Sequence, residues 1–450
     1  MGNPSVVILG GGLSGVAAAF ALARAGWHDV AIIERGPRLG GLAGSFERDG
    51  RFYPLGYHHI LHRDRTLLYF LDLIGALSDV RWRRIRMLFH LSAGLYDLSS
   101  PEGFLRFPLS LTDKLRFVRL MLKAFRKADW SEWQDRSAAE LIDAWGGPGI
   151  RKAIFEPLCR LKFELPCDEV SAAWLGARLH FREGSAPLGY IPQTNWTTVL
   201  CEGLTRLLGE MGVRLRLKAT IAALHTRAER VTEAVLDDGE RVGGDLFVST
   251  VPTEVYLKLL SDANTPHLAS IQYTALVSVV CATRQIVSPD FYWMNLASPD
   301  HAACGIFKLN SLNPTIGAPG DTCINFVTHL LGRDRPFFSQ PEDRLMSRYL
   351  ADFREIFGFE LAPFWTNVAR IPMYSPVFRR SYRNPPVRSH TWRNVYFAGN
   401  YRTFPSVAST GTALASGLVA ARSILEDHSQ HTDLPDVVAA ARPVSMRKES

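Results

Sequence analysis

The chain has 450 residues, 47% hydrophobic and 21% charged, with a formal net charge of +7. This length and balance describe a folded chain with room for two domains and a large core, and exclude a disordered one. No apolar run approaches the roughly 20 residues of a membrane-spanning helix, the six cysteines form no Cys-x-x-Cys pair, and the 13 histidines show no zinc spacing. Neither a disulfide framework nor a metal site is therefore expected.

The first predicted element is a buried strand over Val6 to Leu9. Gly10, Gly12 and Gly15 follow as G-x-G-x-x-G. The first glycine permits a tight turn and the second lets a diphosphate approach the backbone. The third lets the next helix lie close to the strand. An alanine-rich helix over Leu13 to Arg24 would aim its N-terminal amides at phosphate. A second strand, Val30 to Ile33, ends at Glu34, 19 residues after Gly15, where a ribose hydroxyl needs an acceptor. Strand, glycines, helix, strand and acid in this order predict a dinucleotide site, shared in pattern by NAD and FAD.

"RLGGLAGSF" (Arg38 to Phe46) comes next, then "YPLGYHHILHRD" (Tyr53 to Asp64). Between Arg81 and Lys127 there are 11 basic residues against Asp97, Glu102 and Asp113, which accounts for the whole net charge. No nucleic-acid motif accompanies them, and no nucleic-acid partner is expected. Within this region, Leu111 to Trp130 reads as an amphipathic helix. Arg116, Arg119, Lys123, Arg126 and Lys127 share one arc, opposite Leu115, Phe117, Val118, Met121, Leu122 and Phe125. Such a helix suits either the surface of an anionic membrane or packing on its own domain. Further along lie "PQTNWTTVL" (Pro192 to Leu200), the strand-and-hairpin run Val213 to Pro252, a β-rich run over Tyr273 to Thr283, Lys308 in "GIFKLN", and a helix near Glu342 to Phe357. "NVYFAGNYRTFPSVASTGTALASGLVAARSIL" (Asn394 to Leu425) reads as a strand, a loop, and a helix from about Val407.

Taken together, the N-terminal, central and C-terminal segments resemble the flavoprotein superfamily of amine oxidases, protoporphyrinogen oxidases and carotenoid desaturases. The second Gly-Gly (Gly40 and Gly41, after Arg38) and the closing strand–loop–helix favour FAD over NAD. The resemblance implies an α/β FAD domain of two-dinucleotide-binding, Rossmann-like type, discontinuous in sequence, with a mixed α+β substrate domain. The FAD domain is placed at 1–80, 195–265 and 385–427, the substrate domain at 81–194 (mainly helical) and 266–384 (β-rich), and a flexible tail at 428–450. The implied FAD contacts are Gly10, Gly12, Leu13, Ser14, Gly15, Glu34, Arg35, Arg38, Gly40, Gly41, Leu42, Ile221 against the adenine, Gly399, Asn400, Ser406 and Val407. Asn400 stands where the family has an acid, and its amide can still bond a ribityl hydroxyl.

Tyr57, His58 and His59 lie where relatives bring a segment under the flavin ring, and a histidine there can exchange protons near neutral pH. Lys308 is the candidate for the lysine that amine oxidases place near the flavin, and Asn195 and Trp196 are candidates to crowd the site. Bacterial protoporphyrinogen-oxidase-like proteins are similar both at the Tyr-His-His element and at "PLCRLKFELPCDEVSAAW" (Pro157 to Trp174). UDP-galactopyranose mutases are also similar near Tyr57, with proline at that position. The expected function is FAD-dependent dehydrogenation or desaturation of a hydrophobic, polyprenyl-linked or sugar-linked small molecule. The alternatives are non-redox mutase chemistry and a decayed flavin-holding protein at a membrane surface. With the first strand at Val6, no cleaved leader is expected, and the cytoplasm, with peripheral contact to an anionic membrane through 111–130, is the expected location.

Overall fold

The structure is a computed structural model that describes residues 3–91, 94–181, 187–260 and 266–430. Its nucleotide-type sheet has five parallel strands in the order Val395–Phe397, Leu246–Ser249, Val6–Leu9, Val30–Glu34, Arg214–Leu217. All residues of Val6–Leu9 are buried, as a parallel strand covered on both faces requires. The helices Leu13–Arg24 and Thr410–Asp427 pack against one another on this sheet. They approach so closely that a Cβ on Gly417 would lie 2.0 Å from the Ser14 carbonyl oxygen, and Ser14 Oγ donates to the Ala413 carbonyl at 2.8 Å. A three-stranded antiparallel sheet (Ile221–Arg227, Arg230–Leu236, Arg241–Gly243) completes this part.

A second, seven-stranded sheet runs in the order Trp365–Pro376, Tyr273–Thr283, Thr322–Leu330, Gly305–Lys308, Trp293–Leu296, Met87–Leu91, Gly94–Asp97. It is antiparallel except where Trp293–Leu296 pairs with Met87–Leu91. Tyr273–Thr283 is buried at every position because both faces are covered, and Glu342–Phe357 packs Leu345, Tyr349 and Phe353 into the core on one side. Helices between Pro101 and Phe181 form a further core, with Trp130, Leu141, Ile150 and Phe163 fully enclosed.

Two local expectations differ. Arg81–Arg83, Met87–Leu91 and Gly94–Asp97 are short strands inside the segment read as mainly helical. Met87–Leu91 finds its partner about 200 residues away, a pairing no local pattern reveals. The C-terminal helix starts at Thr410 instead of Val407. Ser409 Oγ accepts from the Thr412 amide while the Ser409 amide donates to Thr412 Oγ1, and this reciprocal cap outweighs the apolar pattern beginning at Val407.

Candidate active site

A single continuous cavity of about 2650 Å³ lies against the C-terminal ends of the parallel strands and extends beneath the seven-stranded sheet and the helical segment. It exceeds the roughly 300–1,000 Å³ of an ordinary small-ligand pocket severalfold, so it has room for a dinucleotide and a second molecule. Its first end is built by the glycine loops. Gly40, at φ +125°, bridges Gly12 in parallel fashion, which brings the two loops side by side. Gly12 has φ −66° and ψ 168°, a backbone any residue adopts, yet nothing lies within 4 Å of where its Cβ would be. Its missing side chain therefore serves whatever fills the cavity, as a diphosphate cradle requires.

Gly15 does not border the cavity. A Cβ there would lie 2.2 Å from the Gly10 carbonyl oxygen, so its role is helix-to-strand packing. The remaining sequence-derived contacts all line the cavity: Gly10, Leu13, Ser14, Glu34, Arg35, Arg38, Gly41, Leu42, Ile221, Gly399, Asn400, Ser406 and Val407. Glu34 Oε2 accepts from the Gly11 amide and Oε1 from the Gly36 amide, both at 2.7 Å. The carboxylate thus shapes the loop while each oxygen keeps a lone pair for a ribose hydroxyl. The Asn400 amide donates to the Tyr374 carbonyl at 3.1 Å, holding the closing strand–loop to the seven-stranded sheet.

Tyr57, His58 and His59 all border the cavity. Tyr57 lies flat on Phe307, His58 Nε2 is 3.2 Å from the Leu42 carbonyl, and His59 Nδ1 is 3.4 Å from the Tyr292 hydroxyl. Burial pushes both histidines down to about 4. Both rings are therefore neutral at pH 7, and the proton exchange near neutrality expected from the sequence gives way to neutral hydrogen bonding.

Lys308, expected near the flavin, lies outside the cavity. Gly305 and Phe307 line the cavity, and the two-residue alternation of the strand turns Lys308 away. Its Nζ donates to Asp290 Oδ1 at 2.8 Å and to the Val287 carbonyl at 3.1 Å. Asn195 and Trp196 are likewise buried off the cavity: Asn195 donates to Ser45 and Thr197, and Trp196 Nε1 donates to the His58 carbonyl. They support the site from behind instead of crowding it.

Besides Arg35 and Arg38, the cavity holds cationic side chains that the sequence reading passed over. Lys162 (helix Glu156–Phe163) and Arg178 (helix Ala172–Phe181) face the cavity beside Tyr374 and His329. Lys162 Nζ lies 5.2 Å from the Tyr374 ring centre. Burial, with the Arg178 charge added, lowers Lys162 to about 7, and burial also lowers Arg178. For Arg178 the signal was present in the sequence as a lone charge within "AAWLGARL", a run that otherwise forms core, whereas Lys162, between Arg160 and Glu164, carried none. Around them the wall is apolar, with Phe89, Phe117, Met121, Phe155, Leu158 and Leu175.

The family model described as flavin containing amine oxidoreductase matches residues 13–425. The chain belongs to this family. It is an FAD-dependent oxidoreductase, and the glycine cradle described above fits that cofactor. A 15-cis-phytoene desaturase (chloroplastic/chromoplastic) from an Oncidium hybrid cultivar is 22% identical across 94% of this chain and 78% of its own length. Among solved structures, a candidate protoporphyrinogen oxidase from Exiguobacterium sp. 255-15 superposes with TM-score 0.75 at 20% identity, covering 95% of this chain and 100% of that one. A reduced UDP-galactopyranose mutase superposes with TM-score 0.74 at 14% identity, covering 97% of each chain. At these identities the superpositions establish a shared fold.

Proposed function

We propose that this protein removes hydrogen from a long hydrophobic substrate, by dehydrogenation or desaturation. The observation that carries this reading is the cavity beyond the glycine loops, an apolar chamber walled by Phe89, Phe117, Met121, Phe155, Leu158 and Leu175. When bound, FAD supplies the two-electron acceptor. The chain's own residues hold and orient the substrate. The stacked Tyr57 and Phe307 present a flat apolar floor, and neutral His58 and His59 add hydrogen-bonding edges without charge. Glu34 and the paired glycine loops would hold the nucleotide end, with Ile221 at the adenine and Asn400 near the ribityl chain.

The helix Leu111–Arg126 supports delivery of such a substrate from an anionic lipid surface. Only Leu120 and Ala124 are buried on it, and Phe117 and Met121 face the cavity. Leu111, Leu115, Val118, Leu122 and Phe125 are exposed, with Leu115 at 72%, and Leu105 of the preceding helix is 64% exposed. Arg116, Arg119, Lys123 and Arg126 flank this apolar row. An apolar strip bordered by cations complements anionic lipid headgroups and acyl chains. Among the described residues no helix is long and apolar enough to cross a membrane, so this contact would be peripheral.

The test is anaerobic mixing of the FAD-loaded protein with a panel of saturated and partly unsaturated long-chain compounds. Stoichiometric loss of the oxidised flavin absorbance with one of them supports the reading. Turnover without any such loss points to the non-redox mutase alternative.

A further inference from the structure

The cations bordering the cavity differ in how they are partnered. Arg370 donates to the Phe338 and Gln340 carbonyls and faces Glu342, and Arg402 donates to the Pro385 and Phe397 carbonyls. Lys162 and Arg178 make no ion pair and no hydrogen bond to a carboxylate or carbonyl among the described residues; their neighbours are the Tyr374 and Trp174 rings. Both are half-buried and border the cavity. Beside them His329 is 5% exposed, and its Nδ1 has no hydrogen-bond partner among the described residues. Two like charges and an unfilled ring nitrogen gathered at one cavity wall carry a desolvation and repulsion cost that the Tyr374 and Trp174 rings offset only in part and no carboxylate among the described residues neutralises. A negatively charged group held between them offsets it.

We propose that Lys162 and Arg178, with His329, form an anion site that receives the acidic head, carboxylate or phosphate, of an amphiphilic substrate whose apolar tail fills the adjoining chamber. This inference rests on reading the cavity as a site for a hydrophobic substrate and narrows the class of that substrate. It disfavours cationic amines, because a protonated amine would meet the Arg178 charge and, where Lys162 is protonated, a second one. It also places the charged end beside Tyr374. The site is separate from the nucleotide cradle, which is built by other elements, the glycine loops and Glu34.

Titration calorimetry on the FAD-loaded protein with decanoate, decyl phosphate, decanol and decylammonium tests it. At least one anion is expected to bind roughly tenfold or more tightly than decanol, the scale of a charge-assisted contact, and decylammonium more weakly than decanol. The better of decanoate and decyl phosphate identifies the acid. Arg178→Met and Lys162→Met should each cut the anion-to-alcohol preference while leaving FAD content and the decanol Kd unchanged, and Arg178→Lys should restore part of it. The wild-type preference is read without any variant. Equal binding of decanol and both anions, preferred binding of decylammonium, or an undiminished preference in both Met variants overturns the anion site and leaves the hydrophobic-substrate reading standing. Failure of all four compounds to bind overturns both.

Discussion

Phe307 lies flat against Tyr57, ring centres 3.8 Å apart and planes 11° apart, while its chain neighbour Lys308 points the other way to Asp290. One residue of strand alternation separates a cavity wall from an outer ion pair. Lys308→Met should therefore leave the rate of flavin reduction unchanged and cost about 1 kcal/mol of stability or less. Rapid-mixing reduction and a denaturant melt check both halves; a large drop in the reduction rate would return Lys308 to the site.

The two glycines of the first loop separate binding from folding. Gly12→Ala keeps an allowed backbone and meets only the cavity, so the apoprotein melting temperature should hold while FAD content falls. Gly15→Ala drives a methyl into the Gly10 carbonyl and should destabilise by about 1–3 kcal/mol or more. Flavin absorbance per protein and apoprotein melting together distinguish them. Equal FAD loading in Gly12→Ala would move the diphosphate elsewhere.

Glu34→Ala removes acceptors from the Gly11 and Gly36 amides as well as from a ribose. FAD affinity should fall by about 1.5–3 kcal/mol, the scale of a charged hydrogen bond. Glu34→Gln, which keeps an acceptor, should fall by less. Calorimetric titration of apoprotein with FAD measures both.

His58 and His59 have a folded-state value near 4 against an ordinary 6.5. Between these values the unfolded chain binds more protons than the folded one, so stability rises with pH across that window and is lost as pH falls through it. Each ring accounts for about 3 kcal/mol at most. His58→Gln with His59→Gln should flatten the melting temperature between pH 4 and 6.5 and keep FAD bound. It should also shift the flavin absorbance and slow reduction by substrate. An unchanged reduction rate would remove both rings from the chemistry.

Because both histidines are neutral at pH 7, a break in substrate binding near that pH should belong to Lys162, lowered to about 7 amid Arg178, His329, Cys304 and Tyr374. Anionic substrates should bind more tightly below the break, where Lys162 is charged, than above it. Lys162→Met should abolish the break, and the histidine double variant should leave it in place; Kd against pH for all three proteins decides.

Sedimentation with vesicles tests the exposed row on Leu111–Arg126. Binding should be strong to anionic vesicles at low salt and weak at high salt, because screening shortens with ionic strength. Arg119, Lys123 and Arg126 changed together to Glu, or Leu115 and Leu122 changed to Asp, should abolish it. Equal recovery with neutral and anionic vesicles, or none with either, would assign the row another role.

The nucleotide end was legible from the sequence because its chemistry is local. Val6 to Glu34 carries strand, glycines, helix and acid within one βαβ unit, and backbone geometry alone dictates where glycine must stand. Periodicity likewise placed Tyr273–Thr283 and Glu342–Phe357 at their observed bounds. What tertiary structure decided was the direction and company of individual side chains. Strand register turned Lys308 outward, and burial by residues from distant elements made His58 and His59 neutral. The helix Leu111–Arg126 turned only part of its apolar surface inward. Lys162 and Arg178 lie on different helices, and their sequence neighbours show no partner for them; only tertiary packing, which sets Glu156–Phe163 against Thr322–Leu330 and Ala172–Phe181 against Leu111–Arg126, brings two charges to one cavity. Local sequence determines backbone conformation, whereas charge and proton affinity depend on the dielectric and the neighbours that distant chain segments supply.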